Sequence, residues 1–143
     1  MKVLRDTFAV VRLNPDDVLP SWFQPKGFRT VSWTAEELSI LCEQAMVPAD
    51  VSAERDWRCL MLQGPFPFEL TGILLAVLAP LAEAGIGIFA LSTFDTDYVL
   101  VKEAALESAL DALRRSGHHV IHESTDDSLW EWCRHAGTGK SRP

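Results

Sequence analysis

G-I-G-I-F-A-L-S-T-F-D-T-D-Y-V-L-V-K-E, residues 85–103, reads as a β-hairpin. Ile86–Ser92 is one strand, rich in β-branched and aromatic side chains, and Tyr98–Lys102 is its return. Between them Phe94, Asp95, Thr96 and Asp97 carry turn chemistry. Two carboxylates and two threonine hydroxyls surround an aromatic ring where the strands meet. A polar cluster on a rigid support is a usual place for binding. Asp95 and Asp97 could equally do no more than cap the turn.

Working outward, Trp57–Leu62 reads as a buried strand and residues 63–68, Q-G-P-F-P-F, as a turn. Thr71–Ala84 is a helix, because Ile73, Leu74, Val77, Leu78 and Leu81 recur on one face at helical spacing. Thr71 is placed to cap its start, Pro80 to kink it or loosen a turn, and Gly85 to end it. After the hairpin, Ala104–Ser116 is a second helix with Leu106, Ala109, Leu110 and Leu113 inward. Arg114 and Arg115 complement its dipole, Gly117 stops it, and His118–Glu123 is a final strand. The order β-α-β-β-α-β over residues 57–123 is the ferredoxin-like plan, so the fold class is α+β. Residues 124–143 hold a short amphipathic helix at Asp126–His135 and a tail.

Residues 1–56 are β-rich. Phe8–Leu13 is a strand ended by the turn residues 14–17, Leu19–Lys26 is irregular, and Phe28–Thr34 alternates as a strand does. Glu36–Gln44 suits a short helix or a return strand, and a repeat decides between them. A shift of 59 lays Thr34 on Thr93, Glu36 on Asp95, Ile40 on Val99 and Leu41 on Leu100. Glu36–Gln44 is then mostly strand, the first half is a reduced copy of the second, and Met46–Asp56 is a linker.

Apolar content of 48% with 23% charged residues describes a folded globular chain. A net charge of −7 argues against nucleic acid and against an anionic membrane as partner. The apolar run Ile73–Ala82 is too short to span a bilayer, and no export signal is evident, so the cytoplasm is the expected compartment. Cys42, Cys59 and Cys133 are widely spaced and form no C-x-x-C pair, so no disulfide framework or structural zinc site is expected. Cys42 and Cys59 read as buried thiols in strands.

Two places carry candidate chemistry. The helix start at Thr71-Gly72 offers free backbone N–H groups and a positive dipole end to a carboxylate or phosphate, and glycine permits close approach. The hairpin turn offers Asp97 to an ammonium or guanidinium. Together they match the two charges of a free amino acid. His118, His119 and His122 lack the companions of a metal site, so no metal and no cofactor is expected. Residues 137–141, G-T-G-K-S, imitate the end of a phosphate-binding loop, but Arg134 stands where its first glycine is needed.

The block L-Q-G-P-F-P-F-E-L-T-G-I-L (62–74), followed by I-G-I-F-A-L-S-T-F-D-T-D-Y-V-L-V (86–101), resembles the ACT domains of small bacterial amino-acid-binding regulators. It is also similar to the CASTOR-type cytosolic arginine sensors and, more distantly, to the regulatory ACT domains of aspartate kinase. F-R-T-V-S-W-T-A-E-E-L-S-I-L-C (28–42) resembles the companion half. The resemblance implies a ligand held between two ACT units. It implies contacts from Leu70, Thr71, Gly72, Ile73 and Leu74, from Thr93, Phe94, Thr96 and Asp97, and from Ser39 and Ile40 of the companion half. It further implies a homodimer and a regulated protein partner. The expectation is a non-catalytic amino-acid sensor. The alternatives are a ligand-free module for oligomerisation or docking, and an enzyme using Asp95 or Asp97 as a base.

Overall fold

The computed structural model describes residues 1–124. The helix expected at Asp126–His135, the tail and Cys133 lie outside them. The strands are β1 (Lys2–Leu13), β2 (Thr30–Trp33), β3 (Leu38–Glu43), β4 (Glu54–Met61), β5 (Ile88–Ser92), β6 (Asp97–Lys102) and β7 (Ile121–His122). The helices are α1 (Ile73–Glu83) and α2 (Leu106–Arg115), with single 3-10 turns at Gln44–Met46 and Glu103–Ala105.

One sheet runs in the order β2-β3-β1-β4-β6-β5, and β7 pairs with β1. All pairings are antiparallel except that of β1 with β7. From β4 onward the elements follow the expected chain order, but the sheet order has an insertion. The first residues of β1 stand between β4 and β7: Lys2 and Val3 face Met61 and Leu60 on one side and Ile121 and His122 on the other. The expected first strand therefore starts six residues late, at Phe8 instead of Lys2. Its first half escapes sequence reading because Lys2, Arg5 and Asp6 break the apolar pattern. Lys2 is nonetheless buried and paired with Glu123 at 3.2 Å. The last strand is correspondingly short, two residues instead of six, because β1 offers it an edge only at Lys2 and Val3.

The hairpins repeat at the shift of 59. Trp33 faces Leu38 as Ser92 faces Asp97, and Thr30 faces Leu41 as Phe89 faces Leu100. Thr34 N–H donates to the Glu37 carbonyl at 2.9 Å, and Thr93 N–H to the Thr96 carbonyl at 2.8 Å. Even the 3-10 turns coincide under the shift, and Glu36–Gln44 is strand over Leu38–Glu43. The expected linker Met46–Asp56 is strand over its last three residues, where β4 begins early against Val10.

Alternation along the strands divides the core. Val3, Leu60, Leu62, Val99 and Val101 meet Val77 and Leu81 of α1 and Leu106, Ala109, Leu110 and Leu113 of α2. On β1 and β3, Ala9, Val11, Leu38, Ile40 and Cys42 are covered by loop residues, including Trp22, Phe23 and Met46. Phe8, Leu41, Cys59 and Leu100 form a third cluster with Phe28, Trp57, Phe89 and Tyr98. Cys42 and Cys59 are fully buried free thiols, as expected. Burial, then the charge of Glu43, pushes the Cys42 thiol up to about 11, and burial raises Cys59 further.

Pro80 lies inside α1, and the helix continues past it to Glu83. Proline lacks the N–H that would bond the carbonyl one turn back. That carbonyl, on Ala76, lies 2.8 Å from His118 Nε2. A carbonyl only accepts, so Nε2 carries the proton there.

Candidate functional site

Three segments converge at one end of the sheet: the loop after β4, the start of α1, and the β5–β6 turn. The loop is tied to the turn through backbone. Leu62 N–H donates to the Asp97 carbonyl and Phe66 N–H to the Asp95 carbonyl, both at 2.9 Å. Gly64 permits this approach, because a Cβ there would lie 2.6 Å from the Asp95 carbonyl oxygen. Inside the turn, Thr93 Oγ1 donates to the Thr96 carbonyl at 3.1 Å. Thr96 is buried, and its hydroxyl donates to the Leu62 carbonyl at 2.8 Å. The Ser92 hydroxyl donates to the Asp97 carboxylate.

The helix begins differently from expectation. Thr71 is exposed and is not the cap; Gly72 occupies that position with φ 81°, and no side chain caps the helix. Only glycine takes such a φ without strain. The first helical bond runs from Ala76 N–H to the Gly72 carbonyl, at 3.0 Å. The amides of Ile73, Leu74 and Leu75 thus precede any intrahelical acceptor. Nothing lies within 4 Å of the place a Gly72 Cβ would take, so the backbone there is open to approach.

The resulting cleft holds about 360 Å³. It is lined by Phe66, Pro67, Phe68, Leu70, Gly72, Ile73, Leu74 and Leu75 on one side and by Ser92–Asp97 on the other. Eight of the expected residues are thereby brought together: Leu70, Gly72, Ile73, Leu74, Thr93, Phe94, Thr96 and Asp97. Thr71 is not among the lining residues. Ser39 and Ile40 lie on β3, with β1 and β4 between them and the β6–β5 end of the sheet. Ile40 is fully buried in the core of its own half. Phe66, Phe68, Leu75 and Ser92 line the cleft but were not among the expected ligand contacts. The signal for the first two was P-F-P-F, aromatics flanked by prolines and outside any apolar periodicity.

The lining contains two carboxylates, Asp95 and Asp97, and no lysine, arginine or histidine. Negative charge on one wall and amide N–H groups at the helix start give the cleft a cation-accepting and an anion-accepting end. Among the described residues no group of three or more His, Cys, Asp or Glu could hold a metal ion, and no helix is long and apolar enough to cross a membrane.

Comparison with known sequences bears on this geometry. A family profile described as the ACT domain matches residues 52–115, which contain the whole cleft. Residues 52–115 belong to the ACT-domain family. A second profile, described as an N-terminal domain, matches residues 6–50. The human cytosolic arginine sensor for mTORC1 subunit 1 is 34% identical over 77 residues, 50% of this chain but 23% of the sensor. The bovine protein matches equally. The chain therefore aligns with under a quarter of the length of these relatives. Among solved structures, protein Atu0741 from Agrobacterium tumefaciens is 41% identical with a TM-score of 0.80, covering 86% of this chain and 92% of that one. Two more distant structures share the fold. VC0802 from Vibrio cholerae has a TM-score of 0.66 at 18% identity, covering 81% of this chain and 88% of its own. The aspartate kinase of Clostridium acetobutylicum has 0.59 at 11%, covering 78% of this chain and 33% of the kinase.

Proposed function

We propose that this ACT protein is a non-catalytic regulatory module that binds a free amino acid, or a similar small zwitterion, in the cleft between the α1 start and the β5–β6 turn. The observation that carries the reading is the juxtaposition of an uncapped, open helix start with the Asp97 carboxylate in one concavity of about 360 Å³. The ligand carboxylate meets the first amides of α1, and its ammonium meets Asp97. The volume suits a small metabolite. The relative named an arginine sensor supports the regulatory part.

The same reading takes residues 57–123 as a ferredoxin-like ACT unit and residues 1–56 as a reduced one, the repeat of the two hairpins supporting it. Because β3 lies away from the cleft within one chain and Ile40 is buried in its own core, Ser39 is the expected companion-half residue that could reach a ligand, from a second copy, and the working form on this reading is a homodimer. The altered dimer surface then acts on a protein partner in the cytoplasm, without nucleic acid, membrane, metal or cofactor.

A second reading has support of its own. Phe68, Leu70, Leu75 and Phe94 are all large, apolar and exposed at the cleft, which suits a ligand-free docking or oligomerisation module. Thermal unfolding against each of the twenty amino acids separates the two. A ligand at a hundred times its Kd adds about 2.7 kcal/mol, or a rise of roughly 10 °C for a chain of this size. Asp97→Asn keeps the acceptor for Ser92 but removes the charge, and it should erase the shift while leaving the unliganded Tm in place. A silent screen at millimolar concentration would turn the argument to docking.

A further inference from the structure

We infer that the side-chain compartment of the cleft selects an amino acid with a large apolar side chain, and that Phe68 sets this selectivity. The inference rests on the amino-acid reading above and narrows it. A free amino acid presents a carboxylate, an ammonium and a side chain. The first two are answered by the α1 amides and by Asp97. What then remains of the lining is chiefly Phe66, Phe68, Leu70, Leu75 and Phe94.

These side chains are available to a ligand. Phe68 is 75% exposed, Phe94 81%, Leu75 67% and Leu70 54%. Phe68 comes from the loop before α1 and Phe94 from the β5–β6 turn. Their rings meet edge to face, centroids 5.2 Å apart at 87°. The pair joins the two walls of the cleft into one aromatic surface that has no burial of its own to complete. An apolar side chain seated against it removes apolar area from water on both partners. A carboxylate side chain finds no basic residue in the lining. A guanidinium or ammonium finds Asp95 as its one further carboxylate once Asp97 is engaged, beside the hydroxyls of Ser92, Thr93 and Thr96, which already donate within the protein. Selectivity in an apolar pocket is modest per methylene, about 10-fold to 200-fold, so a leucine or phenylalanine should stand out clearly from alanine.

The test is calorimetric titration of wild type, F68A and F68L with glycine, alanine, leucine, phenylalanine, arginine and glutamate. Phe68 is exposed, so neither variant should unfold, and circular dichroism checks this. Leucine or phenylalanine should bind wild type at least tenfold tighter than alanine, and glutamate weakest. F68A should lose that advantage while binding alanine within about twofold of wild type, and F68L should recover most of it. If arginine or glutamate binds wild type tightest, the inference falls while the amino-acid reading stands. Equal weakening of alanine and leucine in F68A removes Phe68 as the selective residue. If no amino acid binds and F68A instead abolishes self-association, both the inference and the reading beneath it are wrong.

Discussion

Thr96→Val is the sharpest perturbation of the cleft, because it changes one atom type at nearly constant volume. The Thr96 hydroxyl is buried and donates to the Leu62 carbonyl at 2.8 Å, across a sequence distance of 34 residues. Valine removes the donor and leaves that carbonyl facing a methyl group. Loss of a buried hydrogen bond with one partner left unsatisfied costs about 1–3 kcal/mol. For a chain of this length that lowers Tm by roughly 4–12 °C. Thr96→Ser keeps the hydroxyl and loses only a methyl, so it should fall well short of valine. The assay is urea denaturation of the three proteins side by side, with the slope compared to exclude a change in the unfolded state. If valine lies within about 0.5 kcal/mol of wild type, or serine falls further than valine, the hydroxyl does not anchor the turn. The turn would then not be held from the loop after β4. Thr96 would on this account act on a ligand only by holding Asp97 and Phe94 in place.

Gly64→Ala places a methyl 2.6 Å from the Asp95 carbonyl oxygen, so it should destabilise by about 1–3 kcal/mol and shift the Asp95–Asp97 amide resonances in an NMR spectrum. His118→Ala removes the donor to the Ala76 carbonyl and should cost about 0.5–1.5 kcal/mol. In a Pro80→Ala background, where position 80 supplies its own N–H, the same change should cost less, and a double-mutant cycle by thermal melts reads the coupling. The buried thiols predict a pH effect. Cys42 is raised from 9.0 to about 11, so the folded chain holds a proton that the unfolded chain releases. The stability that Cys42 contributes is fully present below pH 9 and is lost as pH rises through about 11. The urea midpoint should therefore be lower at about pH 10.5 than at about pH 8, and peptide mapping after alkylation near neutral pH should find Cys42 and Cys59 slow to label until the chain unfolds.

What was legible in the sequence was local. The β5–β6 hairpin declares itself through β-branched residues on both sides of a turn. The copy ending in Leu38–Glu43, ambiguous by itself, became readable through its shift of 59. The apolar faces of α1 and α2 followed from spacing alone. What was hidden depended on distant partners. Lys2 looks like a surface residue until Glu123 neutralises it. His118 has its hydrogen-bonding role only because Pro80 leaves the Ala76 carbonyl without a helical donor, 42 residues away. Thr71 has the better side chain for a cap, yet Gly72 takes the position with a backbone angle that threonine would resist. At the cleft, charge pairs drew the reading to Asp97 and the helix start. The exposed phenylalanine of the other wall, Phe68, has no periodicity to announce it.

The place of β1 in the sheet has a consequence for how this protein is made. Its first residues are flanked by Leu60 and Met61 on one side and by Ile121 and His122 on the other. A ribosome adds about 5–20 residues each second, so Lys2 waits many seconds in the growing chain before its last neighbour exists. Throughout that interval the strand has a free edge beside Val3. Closure of the sheet is thus a late event with long loops to span, the kind that slows folding. A cell making this chain quickly would expose that edge on many molecules at once, and truncations ahead of residue 121 should aggregate where the full chain stays dispersed.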